Sequence, residues 1–294
     1  MTRSPFFTAS LINSELKTDA SEAWTPWWSF TKTILATATL KLIEQGHFAL
    51  DDHYPDQPFT IRQLLQHTAG VTDYGQLKNY HTAVEAAETP WPRAKLLREA
   101  NADQLIYEPG QGWRYSNIGY LYIRQLIETT LNSSLQEAFT QLIFEPLGLS
   151  DLFVAETRTD LDRFVWGNER RYHPNWVYHG LIIGTPPTAV RLLDAIASKK
   201  VINESSLHEM KIPHPLGAPI RHWVEPSCGL GLMMDPKSEF GLMYGHTGGG
   251  PGSRCAVYHF PELPGRPTIG VFCEDQHDIT VETEVLRLAR QLKN

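Results

Sequence analysis

Apolar positions along the chain fall into two textures. From residue 29 to 45 they come nearly all round the helical wheel: Phe30, Ile34, Leu35, Ala36, Ala38, Leu40, Leu42 and Ile43. That spread predicts a buried helix, and Gly46 stands where a helix end favours glycine. Residues 60–66 predict a second helix, with Thr60 as N-cap, Ile61, Leu64 and Leu65 as its stripe, and Gly70 beyond its end. Helical spacing returns at 93–100, 118–130, 134–143, 188–197 and 205–211, between turns rich in Pro and Gly. After Cys228 the texture changes. Residues 230–234, 241–244, 255–260 and 268–273 are short apolar or aromatic runs cut by Gly, Pro and Asp, which predicts an antiparallel meander. Residues 281–292 close the chain as an amphipathic helix with Val281, Val285, Leu288 and Leu292 on one face, and Phe6–Ile12 reads as a strand. The expected class is α+β. Residues 1–55 and 185–294 form an α/β lobe, its antiparallel sheet flanked by helices, and residues 56–184 form an inserted all-helical lobe, the whole being one compact unit.

Composition narrows the field by exclusion. With 41% hydrophobic and 20% charged residues, the 294-residue chain is expected to pack a core rather than stay disordered. Its net charge of -7 and lack of a basic run argue against nucleic-acid binding, which needs clustered Lys and Arg. Cys228, Cys255 and Cys273 are odd in number and far apart, so a disulfide framework is not expected. No apolar run reaches membrane-spanning length and no signal-peptide core opens the sequence, so the expectation is a cytoplasmic protein off the membrane. The 12 histidines show no zinc-ligand spacing, and no glycine-rich phosphate loop occurs, so neither metal nor cofactor is expected. A Gly-x-Ser-x-Gly elbow is also absent. Nothing in the sequence speaks to oligomeric state.

Three short motifs carry chemistry. In Ser29-Phe30-Thr31-Lys32 the serine and lysine share one helix face at i and i+3. A buried lysine can lose its charge and accept a serine proton, and free N–H groups at a helix start suit a developing oxyanion. The spacing alone is weak, because Ser14-Glu15-Leu16-Lys17 has it too; polar surroundings and Pro26 make that pair a solvated one. Tyr115-Ser116-Asn117, following a Pro109–Gly112 turn, presents a phenol and an amide together, which suits proton transfer or, more plainly, a buried Tyr beside a helix cap. His246-Thr247-Gly248-Gly249-Gly250 is a strand whose glycines let another backbone approach, or a glycine-rich hairpin turn.

In this order the motifs resemble those of the class C β-lactamase-like family, serine hydrolases related to penicillin-binding proteins. Its members include β-lactamases, D-alanyl-D-alanine carboxypeptidases, D-aminopeptidases and esterases. The likeness extends from about Thr25 to the last strand and includes Leu64-Leu65-Gln66-His67-Thr68-Ala69-Gly70, Tyr107-Glu108-Pro109-Gly110 and Phe144-Glu145-Pro146-Leu147-Gly148-Leu149. It implies the serine β-lactamase and penicillin-binding-protein fold. It implies Ser29 as nucleophile, Lys32 and Tyr115 as acid/base pair, Asn117 as a polar site residue, and the N–H groups of Ser29 and Gly249 as oxyanion hole. His246, Thr247, Gly248 and Gly249 would line the substrate. The implied reaction is acyl transfer to Ser29 from a small ester, amide or peptide. An esterase or amidase ranks ahead of a β-lactamase or carboxypeptidase, and an inactive, ligand- or partner-binding member is the alternative of another class.

Three departures bear on this. Only about 28 residues precede Ser29, so a reduced N-terminal sheet is expected. Trp28 stands where a small residue is common, and with Trp27 offers an apolar wall. His246 replaces the usual lysine; an ordinary histidine, with a pKa of about 6.5, is mostly uncharged at neutral pH, which favours uncharged substrates. Arg254 is either a substitute carboxylate anchor or a solvated turn residue.

Overall fold

Both ends of the chain enter one sheet. The computed structural model describes residues 6–166, 172–219, 221–274 and 281–293. A hairpin of β1 (Phe6–Ile12) and β2 (Glu15–Thr18) turns at Asn13 and Ser14, both at positive φ. Ser14 and Lys17 are exposed there, as a solvated pair. After β3 (Thr25–Pro26), a 3-10 turn over Trp28–Phe30 leads into α1 (Thr31–Glu44). This helix is buried on every side from Thr31 to Leu40, and its threonines stay satisfied inside. Thr33 Oγ1 donates to the Gly231 carbonyl at 2.7 Å, and Thr37 and Thr39 donate one turn back at 2.8 Å each.

The middle of the chain holds α2 (Ile61–Leu65), with a capping box between Thr60 and Gln63, then α3 (Lys78–Glu85) and α4 (Arg93–Glu99). Next come α5 (Asn117–Leu131), capped by Ser116, and α6 (Leu135–Phe139), capped by Ser134 and continued by a π-helical turn over Thr140–Phe144. The expectation of an all-helical segment here does not hold. The segment also contains β4 (Leu152–Ala155) and β5 (Leu181–Gly184), which join β3 in a small antiparallel sheet of order β3-β5-β4. The run Leu181–Gly184 is too short for a helix and is bounded by Gly180 at φ +98° and by Pro186 and Pro187.

Helices α7 (Pro186–Ala197) and α8 (Glu204–Met210) precede the meander. It consists of β6 (His214–Pro215), β7 (Ser227–Cys228), β8 (Met233–Ser238), β9 (Gly241–Gly250), β10 (Ser253–His259) and β11 (Thr268–Glu274), and α9 (Val281–Lys293) follows. The main sheet has eight strands in the order β2-β1-β11-β10-β9-β8-β7-β6, all antiparallel. β1 and β2 are both present at its edge despite the short lead-in. Alternation along β10 shows how the sheet is covered. Cys255 and Val257 join the core cluster of α7 and α1, whereas Ala256 and Tyr258 pack with Val281, Val285 and Ala289 of α9. A strand buried on both faces reads as a continuous apolar run, the texture noted above. The predicted strand 230–234 begins only at Met233. Gly231 turns at φ +68° and its N–H leaves the sheet to reach the Leu65 carbonyl at 3.2 Å.

Candidate active site

The turn bearing Ser29 is clamped between the two sheets. On one side the Trp27 N–H donates to the Ile182 carbonyl (2.9 Å), and Thr25 Oγ1 donates to the Gly184 carbonyl (3.1 Å). On the other side lies β9. A Cβ at Gly248 would stand 2.5 Å from the Trp27 carbonyl oxygen and 2.9 Å from Ser29 N; one at Gly250 would stand 2.4 Å from the Trp28 ring. Glycine at these two positions lets the strand close on the turn. Trp28 itself takes φ +43°, uncommon for a bulky residue, and is held there by a 2.9 Å bond from Nε1 to Ser253 Oγ and by edge contact with Tyr172.

Lys32 follows one turn later and is wholly buried. Its Nζ lies 3.1 Å from Ser29 Oγ, 2.8 Å from Asn117 Oδ1 and 3.2 Å from His179 Nε2, and 5.0 Å from the centre of the Tyr115 ring. Burial drives the amine well below its ordinary value of 10.5, while the negative charge of Asp73 pulls the other way. The Tyr115 phenol, beside Ser29, is pushed upward by burial, so it keeps its proton at neutral pH.

The cap of α5 sets the second motif in place. Ser116 Oγ accepts from the Gly119 N–H (3.0 Å) and donates to the Thr72 carbonyl (2.7 Å), and the Ser116 N–H donates to the buried His67 Nδ1 (3.1 Å). The Asn117 N–H donates to Asp73 Oδ1 at 2.8 Å, and its Nδ2 approaches Asp73 Oδ2 at 3.4 Å. With the amide nitrogen facing a carboxylate, the oxygen is the atom turned to Lys32.

Ser29, Tyr115, Asn117 and Gly249 line one cavity of about 310 Å³. Its walls are aromatic, from Trp28, Tyr74, Tyr80, Tyr172 and Trp176, and no Lys, Arg, Asp or Glu occurs among its described lining residues. A neighbouring cavity of about 190 Å³ lies beyond Tyr115, walled by Trp113, Trp223, Leu216 and Met233. His246 lines this second space and not the first. Burial, with Lys32's charge adding to it, holds the His246 ring down to about 3, and its Nδ1 lies 2.6 Å from the Thr247 carbonyl oxygen. Thr247 turns its hydroxyl toward α9, 2.7 Å from Glu282 Oε1 and 2.9 Å from the Tyr258 hydroxyl. Gly248 packs beneath the turn. Arg254 is exposed on β10, paired opposite Gly249.

Two polar residues were missing from the sequence reading. Asp73 had a faint signal, lying three positions beyond the Leu64–Gly70 motif. His179, alone in a Tyr-His-Gly stretch, had none. Among the described residues no group of three or more His, Cys, Asp or Glu is arranged to hold a metal ion, and no helix is long and apolar enough to cross a membrane.

Comparison with known proteins gives the family and the fold. The Beta-lactamase family model matches residues 19–290. Penicillin-binding protein 4* of Bacillus subtilis is 24% identical over 303 residues, covering 90% of this chain and 63% of the relative. Lovastatin esterase of Penicillium rubens is 27% identical over 163 residues, covering 45% of this chain and 40% of the relative. The chain thus spans less than two thirds of the length of these curated relatives. Among solved structures, a D-stereospecific amidohydrolase from Streptomyces shares the fold with a TM-score of 0.80 at 21% identity, over 97% of this chain and 93% of the other.

Proposed function

The chain belongs to the Beta-lactamase family, and from that premise we propose that it is a serine hydrolase working through an acyl-enzyme on Ser29. One observation carries the reading: a wholly buried Lys32 whose Nζ lies 3.1 Å from Ser29 Oγ. A buried lysine driven toward its neutral form beside a hydroxyl is suited to act as a base. As Ser29 Oγ bonds to the substrate's acyl carbon, its proton passes to Lys32 Nζ. The carbonyl electron pair moves onto oxygen, facing the N–H groups of Ser29 and Gly249. The tetrahedral centre then expels the leaving group, which takes up the proton through the Lys32–Tyr115 pair. Water repeats the sequence on the ester and frees Ser29.

The substrate is an uncharged ester or amide with an apolar, preferably aromatic, acyl group. The aromatic lining, with no Lys, Arg, Asp or Glu among its described residues, supports this. The names of the esterase and amidohydrolase relatives agree with this class. The test is a parallel screen of 4-nitrophenyl esters, D-amino-acid amides and a chromogenic cephalosporin, with fluorophosphonate labelling mapped by mass spectrometry. Labelling on Ser29, lost in Ser29→Ala, is expected. An adduct on another serine, or none with any probe, refutes the reading; a cephalosporin turned over faster than every ester and amide refutes the substrate class.

A further inference from the structure

Lys32 has a third partner that the reaction just described leaves without a role. His179 stands just before β5, 3% exposed, with its Nε2 3.2 Å from Lys32 Nζ. Burial, then the charge of Lys32, hold the imidazole well below 6.5, so the ring is neutral. A neutral ring that accepts at Nε2 carries its own proton on Nδ1. That nitrogen finds no well-formed hydrogen bond among the described residues. The ring is thus oriented for Lys32 at the expense of its other nitrogen.

We propose that His179 is a positioning residue for the base. Together with Asn117 it takes both N–H bonds of the Lys32 amine when that amine acts as base, and leaves the nitrogen lone pair aimed at Ser29 Oγ. The inference rests on the assignment of Ser29 as nucleophile and Lys32 as base. An amine nitrogen has three directions besides its carbon bond. At Lys32 these meet Asn117 Oδ1 at 2.8 Å, Ser29 Oγ at 3.1 Å and His179 Nε2 at 3.2 Å. The amide oxygen and the imidazole lone pair only accept. Ser29 alone has a proton to give, so the lone pair belongs to Ser29. When that proton arrives, the ammonium holds three N–H bonds against three acceptors, and no neighbour has to turn. An environment already arranged for the charged state is where electrostatic catalysis gains most. Without His179, one N–H of the amine loses its acceptor, and the nitrogen can rotate to point N–H, rather than its lone pair, at Ser29.

The experiment compares His179→Phe, which keeps a ring and removes the acceptor, with His179→Gln, which loses the ring but supplies a neutral acceptor. His179→Leu serves as a second variant without an acceptor should the Phe substitution not fold. The readout is the saturating rate of acylation of the full chain by 4-nitrophenyl acetate, with fluorophosphonate labelling of Ser29 and a melting curve for each protein. Acylation in the Phe variant is expected to fall roughly 10-fold, the scale of one lost hydrogen bond, while the Gln variant stays clearly faster. If Phe acylates as fast as Gln or faster, His179 merely fills space and the proposal falls. If wild type is not labelled on Ser29, the underlying assignment falls first; if wild type is labelled and a folded Phe or Leu variant acylates at its rate, only the role of His179 falls.

Discussion

Substituting Gly250→Ala tests whether β9 sets the position of the nucleophile. The added Cβ would lie 2.4 Å from Cε3 and Cζ3 of Trp28 and 2.6 Å from its Cδ2. Carbon atoms in good contact stand about 3.5–4.0 Å apart, so strand and ring must separate by roughly 1 Å or more. Trp28 has little freedom to give way, being tied to Ser253 at 2.9 Å and already at φ +43°. The displacement therefore passes to Ser29, its neighbour in the chain. A misplacement of about 1 Å costs on the order of 100-fold in rate, or roughly 2.7 kcal/mol of barrier. Overpacking should also remove about 1–3 kcal/mol of stability. Gly249→Ala provides the comparison: its Cβ would meet nothing nearer than Arg254 at 3.7 Å. The assay is kcat for 4-nitrophenyl ester hydrolysis, with melting temperature alongside. Gly250→Ala is expected to be about tenfold or more below Gly249→Ala. Equal activities, or the reverse order, would show that the glycine strand does not position Ser29.

Lys32→Ala and Tyr115→Phe should each lower kcat/KM by about 100-fold or more, with the double variant far better than the product of the two effects because the groups act together; near-normal turnover by Lys32→Ala would remove it as the base. Asp73→Asn removes the charge that raises the Lys32 pKa, so the acid limb of kcat/KM should move to lower pH, and a move to higher pH contradicts the assignment. His246 has a pKa near 3 in the folded protein against an ordinary 6.5. Below 6.5 the unfolded chain takes up a proton that the folded one refuses until about pH 3, so stability falls with acid across that window by up to about 1.4 kcal/mol per pH unit. His246→Gln should flatten the dependence of unfolding free energy on pH there by about one proton; identical slopes in urea titrations would show that His246 titrates normally.

What the sequence made legible was local. Ser29 and Lys32 lie one turn apart, Tyr115 and Asn117 flank a cap serine, and both pairs are recognised by spacing. The long buried helix and the both-faced strands follow from patterning, because each buries a periodic set of side chains. What escaped depended on distant contacts. His179 reaches Lys32 across 147 residues, and Asp73 reaches Asn117 across 44. Helix α3 buries only Tyr80 and Ala83, so its apolar stripe is too thin to stand out. β3 is two residues long and contains Pro26, which no strand pattern favours. Thr247 shows the opposite limit, since a strand position in a recognised motif does not tell which way its hydroxyl turns.

The pairing of β1 with β11 has a consequence in time. Phe6 stands opposite Cys273 and Leu11 opposite Thr268, so β1 meets its inner neighbour only after residues 13–267 have been synthesised. At about 5–20 residues per second that is a wait of roughly 13–50 s. Through it β1 has only β2 beside it, with apolar Phe6, Ala9 and Leu11 unburied, the kind of exposure that draws aggregation or a chaperone. Contacts so remote in sequence also slow refolding. The delay reaches the chemistry as well, because the glycines that close on Trp27, Trp28 and Ser29 come from β9. A nascent chain stopped before Gly248 already carries its serine and lysine, yet has no strand to hold them to a substrate.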